Sequence, residues 1–143
     1  MNIFLIIMFA AVIAGFALAA SIAIGAYREY IGNDLIRKEN SEKFLKGKFF
    51  VLVGYIFSKV MYAAVIFLMT KTAPFDIEAV KMSLLVFGAA AFLTMLLQGS
   101  VIKKETLAGA LDNANQYSKV ILKLGLCEVI SVLALIYIFL SFG

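Results

Sequence analysis

The chain has 143 residues, 64% hydrophobic and 15% charged, with a mean hydropathy of +1.01; soluble domains run at about 45–50% apolar and about 25% charged, which excludes a soluble enzyme and a disordered chain. A net charge of +4 with no basic run among stacking aromatics excludes a nucleic-acid binder. One cysteine, Cys127, and no histidine exclude an internal disulfide and most zinc, haem and iron–sulfur sites.

Four membrane spans are expected, at roughly 2–26, 49–70, 80–102 and 118–142. Ile3 to Ala26 is 24 residues without a charge, long enough to cross a bilayer. It has a cleavable look at Ala17-Leu18-Ala19. It lacks a charged n-region and exceeds a signal peptide's apolar stretch, so a retained first helix is expected. Phe49 to Thr70 is interrupted only by Lys59, and Met82 to Ile102 is uncharged. Leu124 to Gly143 is interrupted only by Glu128. Neither charge can mark a boundary. Val129 to Gly143 would make roughly 22 Å of helix, short of a hydrocarbon core of about 30 Å. Lys59 and Glu128 are therefore expected inside the membrane, about ten residues into their spans and at similar depth.

Between the spans, charge is uneven. The first loop, 27–48, holds Arg28, Arg37, Lys38, Lys43, Lys46 and Lys48. The third, 103–117, has Lys103 and Lys104, followed by Lys119 and Lys123 at the head of the last span. The middle loop, 71–81, has Lys71 and Lys81 beside Asp76 and Glu78, and the only proline, Pro74. The positive-inside rule puts loops 27–48 and 103–117 in the cytoplasm and both termini outside or in a lumen.

The layout repeats. Residues 1–72 form one expected hairpin and 73–143 a second, running parallel to it as in a tandem duplication. Ser41-Glu-Lys-Phe-Leu45-Lys46 aligns with Ser118-Lys-Val-Ile-Leu122-Lys123, and Gly54 and Ala63 align with Gly125 and Ala134 after a gap. Within each hairpin the helices differ. The first carries Ala11, Gly15, Ala19 and Ala23, and the third carries Gly88 to Ala91 and Gly99-Ser100. Small residues let helix backbones approach closely in lipid, which suits a crowded inner position. The second and fourth carry Phe57, Tyr62, Phe67, Tyr137 and Phe139, which suit a lipid-facing one. Ordinary packing in a monomeric bundle is the competing reading.

Glu128 is the main functional signal. An ionised carboxylate at the bilayer centre costs about 2.5–3.5 kcal/mol on insertion scales, and a proton or a bound cation removes that penalty. A carboxylate that exchanges one or the other is an ion-transport site; one that is permanently paired is structural. Lys59 could bridge to Glu128 or snorkel along its stem to a wetter level, and the residues alone leave both open. Gln98, the one strongly polar side chain of the third span, could orient Glu128, offer its carbonyl to an ion, or bond between helices. Ser58, Tyr62 and Ser131 place hydroxyls near the same depth. There is no Walker-type glycine loop, nucleophile–base pair or carboxylate dyad, so no ATP site or catalytic centre is expected in the chain.

These motifs resemble the membrane rotor-ring proteolipid of V-type ATPases, called subunit c, or K in bacteria. Leu97-Gln98-Gly99-Ser100 resembles the family's Gly-Gln-Gly segment, and Ala110-Leu111-Asp112-Asn113 its Ala-Glu-Asp-Pro turn. Gly125-Leu126-Cys127-Glu128 resembles the Ala-Leu-Pro-Glu stretch around the ion-carrying carboxylate. Ser58-Lys59-Val60-Met61-Tyr62 resembles its Thr-Gln-x-x-Tyr stretch. By layout the resemblance covers the whole chain, by motif about a third of it.

The resemblance implies an all-α membrane protein whose four-helix protomers assemble as identical copies into a ring. Glu128 would carry H+, or less favourably Na+, past a stator subunit bearing an Arg. A central-stalk subunit would contact loops 27–48 and 103–117, and lipid would surround the ring. No cofactor is implied. In sodium-binding members the ion is held by the carboxylate, the third-helix Gln and the second-helix Thr and Gln, which map to Glu128, Gln98, Ser58 and Lys59. Lys59 replaces an oxygen ligand by a cation, which favours protons over sodium. Cys127 and Asn113 stand where the family has proline. The competing readings are a non-transporting ring subunit with Glu128 paired to Lys59, and an unrelated small four-helix accessory protein.

Overall fold

The computed structural model describes residues 2–32, 42–72 and 76–142. Arg37, Lys38 and Ser41 of the first loop and Pro74 of the middle one lie outside the described residues. The chain forms α1 (Ile3–Gly32), α2 (Glu42–Thr72), α3 (Ile77–Leu107), a short 3₁₀ turn at Ala110–Asp112, and α4 (Ala114–Phe142). All four α-helices are long and apolar enough to cross a membrane, which makes this a multi-pass membrane protein.

The helices outrun the expected spans. At about 1.5 Å per residue, 29–31 residues extend roughly 45 Å, beyond a hydrocarbon core of about 30 Å. The expected spans followed the apolar runs of the sequence. The helices continue because backbone hydrogen bonding and good helix formers such as Lys and Glu carry them into the headgroup zone. Lys43, Lys46 and Lys48 thus begin α2, and Lys103 and Lys104 end α3.

The ends are locally determined. Asp76 caps α3, its side chain accepting from the Glu78 N–H at 3.0 Å, and Glu78 adds negative charge to the first turn. α3 stops at Gly109, whose φ of +86° a side chain would strain. The 3₁₀ turn follows, and the Asn113 Oδ1 accepts from the Gln116 N–H at 3.0 Å at the head of α4. The α3–α4 turn is latched to both other helices. The Tyr30 hydroxyl donates to Asp112 Oδ2, and Tyr117 donates to the Lys48 carbonyl at 3.1 Å. Lys48 Nζ reaches the Leu111 carbonyl at 3.3 Å and lies over the rings of Phe44 and Tyr117.

The most extensive packing is between α1 and α3. The small residues singled out in the sequence make it. A Cβ on Gly99 would sit 3.0 Å from the Ala19 Cα, and one on Gly88 would sit 3.3 Å from the Met8 Cα. Gly15 faces Met95 and Phe92. α4 packs chiefly on α3 and α2 chiefly on α1, while α2 and α4 also meet. Among the described residues the α1 and α4 backbones do not come close to each other. The bundle is thus two-layered, with α1 and α3 adjacent and α2 and α4 laid against them. Large apolar side chains, including Leu68, Leu126, Leu133 and Leu140, remain exposed on the surface, as a lipid-facing protein requires.

Candidate ion site

Glu128 is the central residue of α4, and Lys59 lies close to the centre of α2. Gln98 faces them from α3. The pairing of α4 with α3, and the lesser contact of α2 with α4, bring the three together. Ser58, Lys59, Gln98 and Glu128 meet at one place.

Lys59 Nζ lies 2.6 Å from Glu128 Oε2 and 2.5 Å from Gln98 Oε1. It also contacts Ser58 Oγ at 3.2 Å and donates to the Tyr55 carbonyl. A helical side chain projects back toward the N-terminus of its own helix, so Nζ returns to the carbonyl four residues earlier. The sequence left open whether Lys59 bridges or snorkels. It bridges: its side chain is 0% exposed, whereas Glu128 is 14% exposed.

Gln98 serves both partners. Its carbonyl oxygen accepts from Lys59, and its Nε2 donates to Glu128 Oε2 at 2.8 Å and to the Leu124 carbonyl at 3.1 Å. Its amide orientation is thereby determined, since the reverse would set an N–H₂ group against the ammonium. Glu128 Oε1 faces Ser58 Oγ at 2.9 Å. The Ser58 hydroxyl also reaches the Tyr55 carbonyl at 2.7 Å, and it has one hydrogen for the two acceptors. Burying an ion pair is tolerated only when the remaining polar atoms find partners, and this cluster supplies them.

Tyr62 lines an open groove of about 280 Å³ together with Val51, Gly54, Tyr55, Ser58 and Glu128. Glu128 therefore has a wet or lipid-accessible side, while Lys59 does not. Ser131, one turn beyond Glu128, is buried with its hydroxyl unbonded and is no part of the cluster. Sequence reasoning missed the Tyr55 carbonyl, because a backbone oxygen leaves no trace in residue type.

No group of three or more His, Cys, Asp or Glu that could hold a metal ion occurs among the described residues. The cluster offers instead one carboxylate, one amide oxygen, one hydroxyl and one backbone carbonyl around a single point. That point is filled by the Lys59 ammonium. Compared with family models, with curated proteins and with solved structures, the chain finds no match in any of the three.

Proposed function

We propose that the chain is the ring-forming proteolipid subunit of a V-type ATPase or ATP synthase, moving H+ across the membrane as the ring rotates, with Na+ the less favoured ion. The observation that carries the reading is the setting of Glu128. It is a mid-helix carboxylate at the edge of a groove, held by Gln98 from α3 and by Ser58 and Lys59 from α2. A carboxylate at that depth is costly and is kept where ions or protons are exchanged. The close α1–α3 packing supports it, because small-faced helices suit the inner layer of a ring. In this reading residues 1–72 and 73–143 are tandem hairpins and identical copies close the ring. Loops 27–48 and 103–117 face the cytoplasm and a central stalk, and a stator Arg meets Glu128 in passing.

Electron micrographs of the detergent-purified protein test the assembly. Closed rings of many copies are expected; a monomer or small bundle would reject the reading in favour of an unrelated four-helix accessory protein.

A second reading is favoured by one contact. The Lys59–Glu128 ion pair, with Lys59 wholly buried, is the arrangement of a locked, non-transporting ring subunit. A hydrophobic carbodiimide, which modifies a protonated carboxyl in lipid, separates the two. A lock leaves Glu128 unlabelled at every pH and lets Lys59→Gln label. Equal labelling of both forms rejects the lock.

A further inference from the structure

Two grooves share one side chain. The first, of about 530 Å³, is lined by Lys43, Phe44, Gly47, Lys48 and Val51 of α2 and by Tyr117 of α4. The second is the groove of about 280 Å³ beside Glu128, and Val51 borders it too. On α2 the lining positions 43, 47, 51, 54, 58 and 62 fall three or four apart, on one helix face. The two grooves thus make one furrow. It starts at the charged head of α2 and runs down the α2–α4 surface to Glu128.

Its two ends differ in chemistry. Lys43 and Lys48 stand at the mouth, and among the described residues neither has a carboxylate partner. Lys48 is held there: Nζ lies 4.7 Å from the centre of the Phe44 ring and 4.8 Å from that of Tyr117, and it donates to the Leu111 carbonyl at 3.3 Å. An ammonium has three donors, so a carbonyl leaves others for a ligand. Below the mouth the furrow is apolar and shallow-walled. Val51 is 53% exposed, and Gly47 and Gly54 have open space where a side chain would stand. Gly15, Gly88 and Gly99, by contrast, press against a neighbouring helix. The ten positions from Lys48 to Ser58 rise about 15 Å, half of a hydrocarbon core of about 30 Å. Two ammonium groups at headgroup depth, above an apolar furrow one leaflet long, match a phospholipid in charge and in length.

We propose that the furrow binds one anionic phospholipid, its phosphate held by Lys43 and Lys48 and one acyl chain laid past Gly47, Val51 and Gly54 to the edge of Glu128. Charge complementarity selects the anionic class, because a zwitterionic headgroup sets its own cation against the two ammoniums. Phe44 and Tyr117 suit the same depth, where aromatic rings settle at the membrane interface. The chain end covers the open side of Glu128, so this one lipid is the carboxylate's outer neighbour. The binding does not depend on the rotor-ring reading.

Native mass spectrometry of the full chain, with phosphatidylglycerol or phosphatidylcholine added to the detergent, counts bound lipid. One phosphatidylglycerol per chain is expected, held at least about tenfold more tightly than phosphatidylcholine. Phosphatidylglycerol carrying a photoreactive group at its chain end should cross-link to residues 51–62 of α2 or to α4 beside Glu128. Lys43→Gln with Lys48→Gln should weaken binding at least about tenfold, while Lys103→Gln with Lys104→Gln, an equal charge loss at the end of α3, should change it by less than about twofold. Gly54→Leu, which keeps both lysines and fills the furrow, should weaken binding and remove the cross-link. Equal losses from the two lysine pairs would mean diffuse surface charge and overturn the proposal. So would equal retention of the two lipids, a cross-link elsewhere, or displacement of the lipid by inorganic phosphate, which would make the mouth a site for free anions. A parent that holds no lipid, with chain-to-chain cross-links through Val51, overturns it in favour of a second copy in the furrow. If the variant lacking both lysines does not fold, Lys43→Gln and the parent's cross-link map decide.

Discussion

Lys59 Nζ and Glu128 Oε2 lie 2.6 Å apart although 69 positions separate the two residues in the chain. Neither can be removed singly without stranding the other. Breaking one partner of a buried ion pair costs about 3–5 kcal/mol, because an uncompensated charge is left behind. Lys59→Met should therefore lower stability by about that amount, measured by denaturant unfolding in detergent micelles. Adding Glu128→Gln should restore most of the loss. A double variant as unstable as the single one would mean the cost is packing volume rather than charge.

Gln98 is the joint between α3 and the pair. Gln98→Leu keeps the bulk but removes an acceptor from Lys59 and donors from Glu128 and the Leu124 carbonyl. A buried polar group left unsatisfied costs about 1–3 kcal/mol, and that is the expected loss on unfolding. The loss should shrink markedly in a background that already lacks Lys59 and Glu128, since fewer groups are then stranded.

How much of this was legible depends on the kind of signal. Four apolar runs announced four helices because water-to-lipid transfer acts on every residue of a span and accumulates. Lys59 and Glu128 stood out for the same reason, as the two charges the runs could not shed. Gln98 and Ser58 followed from depth. The bridge itself was not legible. A lysine stem is long enough to pair or to snorkel, and which it does depends on where α4 sits relative to α2. The Tyr55 carbonyl was invisible for another reason, since every residue has one. The latch of Tyr30 onto Asp112 joins two loop-proximal residues that no periodicity connects. The helices run past the expected spans because charge marks the edge of the hydrocarbon, not the end of the hydrogen-bonded backbone.

The α1–α3 contact makes a sharper mutational contrast than its composition suggests. A Cβ at Gly99 would come within 3.0–3.1 Å of Ala19 backbone and Cβ atoms, and backbone cannot swing aside as a side-chain tip can. Gly99→Val should destabilise by about 1–3 kcal/mol, the range for overpacking. Gly25→Ala, on α1 with open space around it, should cause no loss. Thermal unfolding of the two variants side by side checks this. Equal effects would mean that glycine serves the helices by flexibility rather than by close approach.

The latch between Tyr30 and Asp112 can be tested away from the Lys59–Glu128 pair. Tyr30 is fully buried, and its hydroxyl donates to Asp112 in the turn between α3 and α4. A hydrogen bond to a charged acceptor contributes about 1.5–3 kcal/mol, so Tyr30→Phe should lose about that much while leaving the ring in place to pack. Tyr137→Phe is the control. Its side chain is 45% exposed, so removing its hydroxyl should change stability by less than about 0.5 kcal/mol. The Tyr30→Phe loss should appear without any change in carbodiimide labelling of Glu128, because the latch lies at the helix ends and the carboxylate at the centre of α4. A change in labelling would instead mean that the turn sets the position of α4 and, through it, the geometry of the ion pair.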